Sequence, residues 1–290
     1  MGYDFAKFKG QITTHTFSEG VALPFDLQLW RGQSGAQSIY YAPFEHQNAA
    51  PKVALIGITP GHTQAVKALQ AAQAALRRGD SDEKCLVAAK IHASFGGDMR
   101  NDLVDMLDTL GINALIGEDT TGNLWTEAGY TKGQFCSMLQ YPTFQGSKNF
   151  NAVPSTRKSE AFREMLERAA ETLNNLPRES VVLPLGKTVT KALVKLRKEG
   201  LLKRNLLEVA GEPICVPHPS GENSESVRLV LNWHHENAQE YAEECHARYL
   251  NEKPWLKKGR STPLPPQEYK AARETRWRDV HRLREHFGLT

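Results

Sequence analysis

Four short apolar runs, most of them ending at a turn and followed by helical spacing, organise the chain. Val53-Ala54-Leu55-Ile56 is the first, as continuous as a parallel strand buried on both faces requires. Gly57 ends it and Pro60-Gly61 turns the backbone. Val66, Leu69, Ala72 and Leu76 then recur at spacings of three and four, the stripe of an amphipathic helix. Phe135 to Leu139 is the second run and leads into Gln140-Tyr141-Pro142. Val181 to Leu185 passes through Gly186-Lys187-Thr188 to a helix marked by Val189, Leu193 and Leu196. Pro213-Ile214-Cys215-Val216 is the last and delivers Pro217 to Asn223. Strands that alternate with helices predict an α/β fold, three-layer α/β/α, with a mostly parallel central sheet of about four strands. In such a sheet the loops at the carboxyl ends, 57–62, 140–146, 186–188 and 217–223, converge on one crevice.

The intervening stretches fill in the rest. Phe25 to Trp30 alternates, Arg31 to Gly35 turns, and Ser38 to Phe44 returns, which predicts a hairpin inside an N-terminal stretch of strands and loops. Gly79 to Asp82 supplies a stop and a new cap before a second helix that runs towards Phe95. Ser94-Phe95-Gly96-Gly97-Asp98 leads into an amphipathic helix with Leu103, Met106, Leu107 and Leu110, closed by Gly111. The polar stretches 117–133 and 148–159 read as surface loops, the latter carrying Arg157 and Lys158. Helices are expected over Phe162 to Leu173 and from about His234 to Tyr249. Trp255 to Arg260 and the prolines Pro263, Pro265 and Pro266 form a linker. The final helix sets Trp277, Val280, Leu283 and Phe287 on one face and carries Arg273, Arg276, Arg278, Arg282 and Arg284. A helix docked on the core is favoured over a nucleic-acid clamp. The chain thus divides into one domain over 1–250, with residues 1–50 as an extension, and a linker with a basic helix over 251–290.

Composition narrows the function classes. With 290 residues the chain can bury a full core. A net charge of +3 permits an anionic partner without demanding one. Cys85, Cys136, Cys215 and Cys245 are far apart and form no C-x-x-C pair, which argues against an iron–sulfur or zinc site and for a reducing compartment. The first residues carry no apolar signal core and no stretch is long enough to span a bilayer, so a cytoplasmic protein is expected. Gly186-Lys187-Thr188 is not part of a phosphate-binding P-loop, because the motif's first glycine would fall at Val181 inside the strand.

Two of the carboxyl-end loops carry a resemblance. Gly57-Ile58-Thr59-Pro60-Gly61 resembles the G-x-x-P-G water-activating loop of the uracil-DNA glycosylase superfamily. His218-Pro219-Ser220-Gly221-Glu222-Asn223 resembles its H-P-S loop, whose histidine contacts the base and whose serine approaches a DNA phosphate. Between them, Ser94 to Leu103 is similar to the segment whose phenylalanine stacks on the flipped base, and Val182 to Ala192 resembles the superfamily's Leu-Gly strand and helix. The resemblance covers roughly Lys52 to Tyr249 in the right order. It implies a DNA glycosylase that turns a nucleotide out of the helix and cleaves its glycosidic bond, without metal or cofactor. Cleavage develops positive charge on the sugar and negative charge on the departing base, so a carboxylate near the sugar and a donor near the base both lower the barrier.

On that resemblance His218 is the leaving-group donor and Phe95 the stacking face. Gly57, Pro60, Gly61 and Ser220 let backbone N–H groups and a hydroxyl approach phosphates, with Asn223 beside them. The departures are informative. Thr59 and Ile58 stand where many members have Asn, Asp or Glu, and neither is a general base near neutral pH. Some branches carry an aspartate in the stacking segment instead, which points to Asp98, a residue that also reads as a helix cap. His62 is a second candidate for holding water or phosphate. The base-reading asparagine of the family corresponds to Met138, and Gln140 would serve if the register shifts. The catalytic set expected is therefore Asp98, His218 and Thr59. Gly57, Ile58, Pro60, Gly61, His62, Phe95, Gln140, Ser220 and Asn223 are expected to bind substrate. Loss of the asparagine favours a damaged or modified base over plain uracil, among them the hypermodified bases of phage DNA that some members attack. The expected partner is DNA, held through its backbone and a flipped, most simply pyrimidine, base by a monomer. The rival readings are a catalytically inactive nucleic-acid binder of the same fold and an N-glycosidase of free nucleosides or nucleotides.

Overall fold

The computed structural model describes residues 5–257 and 261–289; the first four residues, 258–260 within the expected linker, and Thr290 lie outside them. The chain begins with a helix, α1 (Lys9–Thr14), where strands and loops were expected. Six residues give too short a stripe to register as a period, yet Ile12 is fully buried. The hairpin follows as expected, β1 (Gln28–Arg31) running antiparallel to β2 (Gln37–Tyr40) with Trp30 opposite Ile39. The first apolar run is β3 (Val53–Gly57), buried along its whole length. Helices α2 (His62–Arg77), α3 (Asp82–Ala93), α4 (Asp98–Thr109) and α5 (Ile112–Ile116) come next. Strand β4 (Gly133–Ser137) leads to two short strands, β5 (Thr143–Gln145) and β6 (Lys148–Asn149), and then to α6 (Glu160–Asn174). Beyond these lie β7 (Val181–Pro184), α7 (Lys187–Lys198), and the small pair β8 (Glu208–Val209) and β9 (Glu212–Pro213). Helices α8 (Ser224–Leu231), α9 (Ala238–Glu252), α10 (Pro254–Lys257) and α11 (Pro266–His286) end the chain.

The central sheet is parallel, in the order β4-β3-β7, with Leu55 aligned between Phe135 and Leu183. Successive side chains of β3 feed two separate cores, as strand alternation requires. Ala54 and Ile56 pack with α2, α6 and α7 on one face; Val53 and Leu55 pack with α4, α8, α9 and α11 on the other. Helices therefore cover both faces of a parallel sheet. A second, antiparallel sheet in the order β1-β2-β5-β6 flanks this core.

Three expectations change. The fourth run, 213–216, is not a full strand: Glu212–Pro213 pairs with Glu208–Val209, and only Val216 bridges to Leu185. Proline cannot donate to a ladder, and Pro213 and Pro217 bracket the run, so pairing contracts to the Val216 N–H on the Pro184 carbonyl and the Gly186 N–H on the Val216 carbonyl. The stretch 117–133 is not a surface loop, since Leu124, Trp125 and Tyr130 are buried in it. Short 3-10 turns at Thr121–Trp125 and Tyr130–Lys132 fold these apolar residues inward within a polar sequence. The helix expected from about His234 starts only at Ala238, and α8 precedes it, carrying Val227, Leu229 and Val230 into the core.

The last helix is docked. Tyr269, Trp277, Val280 and Leu283 are buried against the sheet's second core. All five of its expected basic residues are engaged within the chain. Arg273 and Arg276 hold Glu225, Arg278 holds Glu274, and Arg282 pairs with Asp279 and Glu212. Arg284 donates to the Val230 carbonyl and lies over the Trp233 ring. Among the described residues no helix is long and apolar enough to cross a membrane.

Candidate active site

At the carboxyl ends of β3, β4 and β7 the chain encloses a cavity of about 780 Å³. The loop after β3 lines it with Gly57, Ile58, Thr59, Pro60 and Gly61. The stacking segment contributes Phe95, the end of β4 contributes Cys136, Ser137 and Gln140, and the last loop contributes His218, Ser220 and Asn223. Residues 160 positions apart thus face one space, because parallel strands deliver all their following loops to the same edge.

The first loop is held from below. The β4 extension keeps pairing with it, Met138 N–H to the Gly57 carbonyl and Leu139 N–H to the Ile58 carbonyl. The Thr59 hydroxyl donates to the Tyr141 carbonyl at 2.9 Å and accepts from the Thr143 N–H at 3.2 Å. Its oxygen is thereby engaged by backbone on both sides, which makes it a clamp between two loops. Thr59→Val is expected to cost about 1–2 kcal/mol, by leaving a carbonyl and an N–H without partners, in a urea titration. Gly61 opens α2, and a Cβ there would stand 2.9 Å from the Asn149 side chain, whose Oδ1 accepts the His62 N–H. The His62 ring turns away from the cavity, its Nε2–H donating to the Val21 carbonyl at 2.7 Å.

Phe95 adopts φ +52°, a left-handed conformation that costs a non-glycine residue of order 1–3 kcal/mol and persists only where surroundings enforce it. The enforcement is visible. One Arg100 nitrogen donates to the carbonyls of Ile91, His92 and Ser94, and the Trp125 indole N–H donates to the same Ser94 carbonyl. The Phe95 ring meets Phe135 edge-on at 6.1 Å, and Trp125 stacks on Phe135 at 4.7 Å, so one wall is aromatic. Asp98 is exposed on the first turn of α4 and is not among the cavity-lining residues, although Met99 is. Asp98→Asn is therefore expected to remove only a helix-dipole contribution of about 0.3–1 kcal/mol, read in a urea titration.

Opposite this wall, Val216 is bonded on both sides to the 184–186 turn, and His218 follows it into the cavity. Gly186 at φ +86° permits the close approach: a Cβ on it would lie 3.4 Å from the His218 Cβ. Asn223 donates to the Ser220 hydroxyl at 3.0 Å and fixes it at the start of α8. Gln140 faces the cavity, while Met138 is wholly buried in the core and has no access to it. Arg168 on α6 lines the cavity, and among the described residues nothing pairs with its charge.

A carboxyl group that does line the cavity is that of Glu45, in the extension before β3. It lines the cavity beside Phe44, His46 and Lys90. Its Oε1 accepts from the Tyr141 hydroxyl at 3.3 Å, Tyr41 faces the same carboxyl, and Oε2 is enclosed without a well-formed hydrogen bond. Burial pushes its pKa up to about 7, outweighing the Tyr41 and Tyr141 hydroxyls and the charge of Lys90. Lys90 is 5% exposed, donates to the Phe135 carbonyl at 2.6 Å and is itself shifted down by burial. His46, bonded through Nδ1 to the Tyr130 hydroxyl, is also lowered by burial, and the Cys136 thiol is raised by it. Nothing in the local sequence marks Glu45; only the run of residues 44–48 along the open edge of β4 brings it in, with Asn48 donating to the Gly133 carbonyl.

Comparison with known proteins adds one relative. Over 216 residues, 73% of this chain and 80% of the other, the sequence is 30% identical to the uncharacterized protein YoxB of Bacillus subtilis (strain 168). The chain belongs to the YoxB family. No family model and no solved structure matches it. Away from the cavity, this YoxB-family chain brings three potential metal ligands together, His234, His235 and Glu244, with ligand atoms within 4.8 Å of one another. Arg248 already holds the Glu244 carboxylate at 2.8 Å, and neither histidine faces the cavity.

Proposed function

We propose that this YoxB-family protein is a monofunctional DNA glycosylase of uracil-DNA glycosylase-like fold that excises a modified base. The observation that carries the reading is convergence. The G-x-x-P-G-like loop, the stacking Phe95 and the H-P-S-like loop, far apart in sequence, open into one cavity large enough for a nucleobase. In this reading a flipped base lies against the Phe95–Phe135–Trp125 wall. His218 donates to the base as its bond to the sugar breaks, which stabilises the departing charge. Backbone N–H groups at the start of α2, the Ser220 hydroxyl and Arg168 meet the phosphates. The residues that clamp these loops hold the geometry before substrate arrives. The arginines of α11 pair within the chain, so that helix supports the cavity wall through Thr275, Arg276 and Val280.

The test is incubation with duplexes carrying uracil, hydroxymethyluracil, or plain or glucosylated hydroxymethylcytosine, with alkali-labile sites counted. At least one modified duplex is expected to yield abasic sites and its free nucleoside none. Mobility shift without abasic sites across the panel would instead identify a nucleic-acid binder, and cleavage confined to nucleosides would identify a nucleosidase.

A further inference from the structure

We propose that the enclosed end of the cavity reads the edge of the flipped base, with the Glu45 carboxyl group pairing with two adjacent atoms of that edge. The substrate class is then a base whose Watson–Crick edge presents a donor and an acceptor side by side, as those of uracil- and cytosine-type pyrimidines do. This rests on the glycosylase reading.

The geometry carries it. Met138, at the position of the family's base-reading asparagine, is sealed in the core, so the pairing group must come from elsewhere. Glu45 lines the cavity and is half-buried; its Oε2 atom is enclosed beside the Tyr41 hydroxyl without a well-formed hydrogen bond, while Tyr141 steadies Oε1. A buried polar atom left without a partner is costly, and a ligand that supplies one relieves that cost. The groups facing this carboxyl are the Tyr41 and Tyr141 hydroxyls and Lys90. None pairs with it as an ion pair among the described residues, and Lys90 is committed to the Phe135 carbonyl.

Protonation sets which edges fit. Burial holds the carboxyl neutral through the acid side of neutrality. A neutral carboxyl offers one donor and one acceptor, and the ionised form offers acceptors alone. Uracil presents N3–H beside O4, and cytosine presents N3 beside its amino group; each matches the neutral form.

The experiment measures equilibrium binding to duplexes in which a 2′-fluoroarabino sugar blocks cleavage, each carrying uracil, hydroxymethyluracil or hydroxymethylcytosine, with an unmodified duplex as reference. Wild type is expected to prefer a pyrimidine probe over the reference, and that preference should fall by about tenfold or more between about pH 6 and about pH 8.5 as the carboxyl ionises. Glu45→Gln keeps a donor beside an acceptor and should hold the preference at both pH values. Glu45→Ala should lose it at both, with binding to the unmodified duplex unchanged and circular dichroism reporting the fold. Full preference in Glu45→Ala, or loss in Glu45→Gln matching that in Glu45→Ala, would overturn the proposal while leaving the glycosylase reading intact. A wild type that distinguishes no modified duplex would overturn both together.

Discussion

Replacing His218 with alanine is expected to slow excision by about a hundredfold or more, the typical cost of removing one donor to a developing anion. The residue's seat makes the effect separable from folding. Val216 is anchored by its own N–H to Pro184 and by the Gly186 N–H to its carbonyl, and these bonds belong to backbone. Removing the imidazole leaves that anchor and the close Gly186 approach in place. Binding to a duplex with an uncleavable target should therefore change little while the single-turnover rate falls. Unchanged single-turnover rates would remove His218 from the chemistry.

The second large effect concerns stability. In the unfolded chain Glu45 titrates near its ordinary value of 4.5, and in the folded chain burial pushes it up to about 7. Between those values the folded protein holds a proton that the unfolded one has released. Stability is therefore greatest below the lower value, falls as pH rises through the upper one, and is level beyond it. A shift of this size corresponds to about 3 kcal/mol, the largest loss expected from one side chain in this cavity. Lys90, lowered by burial, acts in the opposite sense, so the comparison that isolates Glu45 is wild type against Glu45→Gln. Urea titrations from about pH 5 to pH 8 should show the wild-type curve sloping down relative to the variant's. Parallel curves would mean that Glu45 is ionised in the folded protein throughout.

The parts of the fold legible in the sequence are those in which local pattern and tertiary setting agree. β3 and β7 read as uninterrupted apolar runs, and α2, α4, α6 and α7 show their stripes; β4 lies at Gly133–Ser137, two residues before the apolar run from Phe135 to Leu139, because Gly133 and the buried Gln134 pair with β3. The loops at the strand ends could be placed because topology alone dictates where they go. What stayed hidden depends on contacts between distant segments. Residues 117–133 look polar because the few apolar side chains that fold inward are scattered among glycines and threonines. The 213–216 run has strand composition, but its prolines remove the donors a strand needs. Glu45 is the sharpest case. It lies outside the stretch that carries the glycosylase resemblance, in a loop whose only visible signal was aromatic, and its chemistry arises from burial beside Lys90 and Tyr141. Asp98 had the opposite fate: two glycines and a nearby phenylalanine marked it, while the turn of α4 carries its side chain to the surface.

The cavity wall takes Phe44 to Gln47 from one side and Ala272 to Val280 from the other. During synthesis on the ribosome, the strands and the loops between them can assemble well before the second of these segments has been made. The pocket itself cannot close until α11 has cleared the exit tunnel and docked. A nascent chain would therefore carry an open, incomplete pocket until α11 has docked, and competence to handle a ligand would arrive at once.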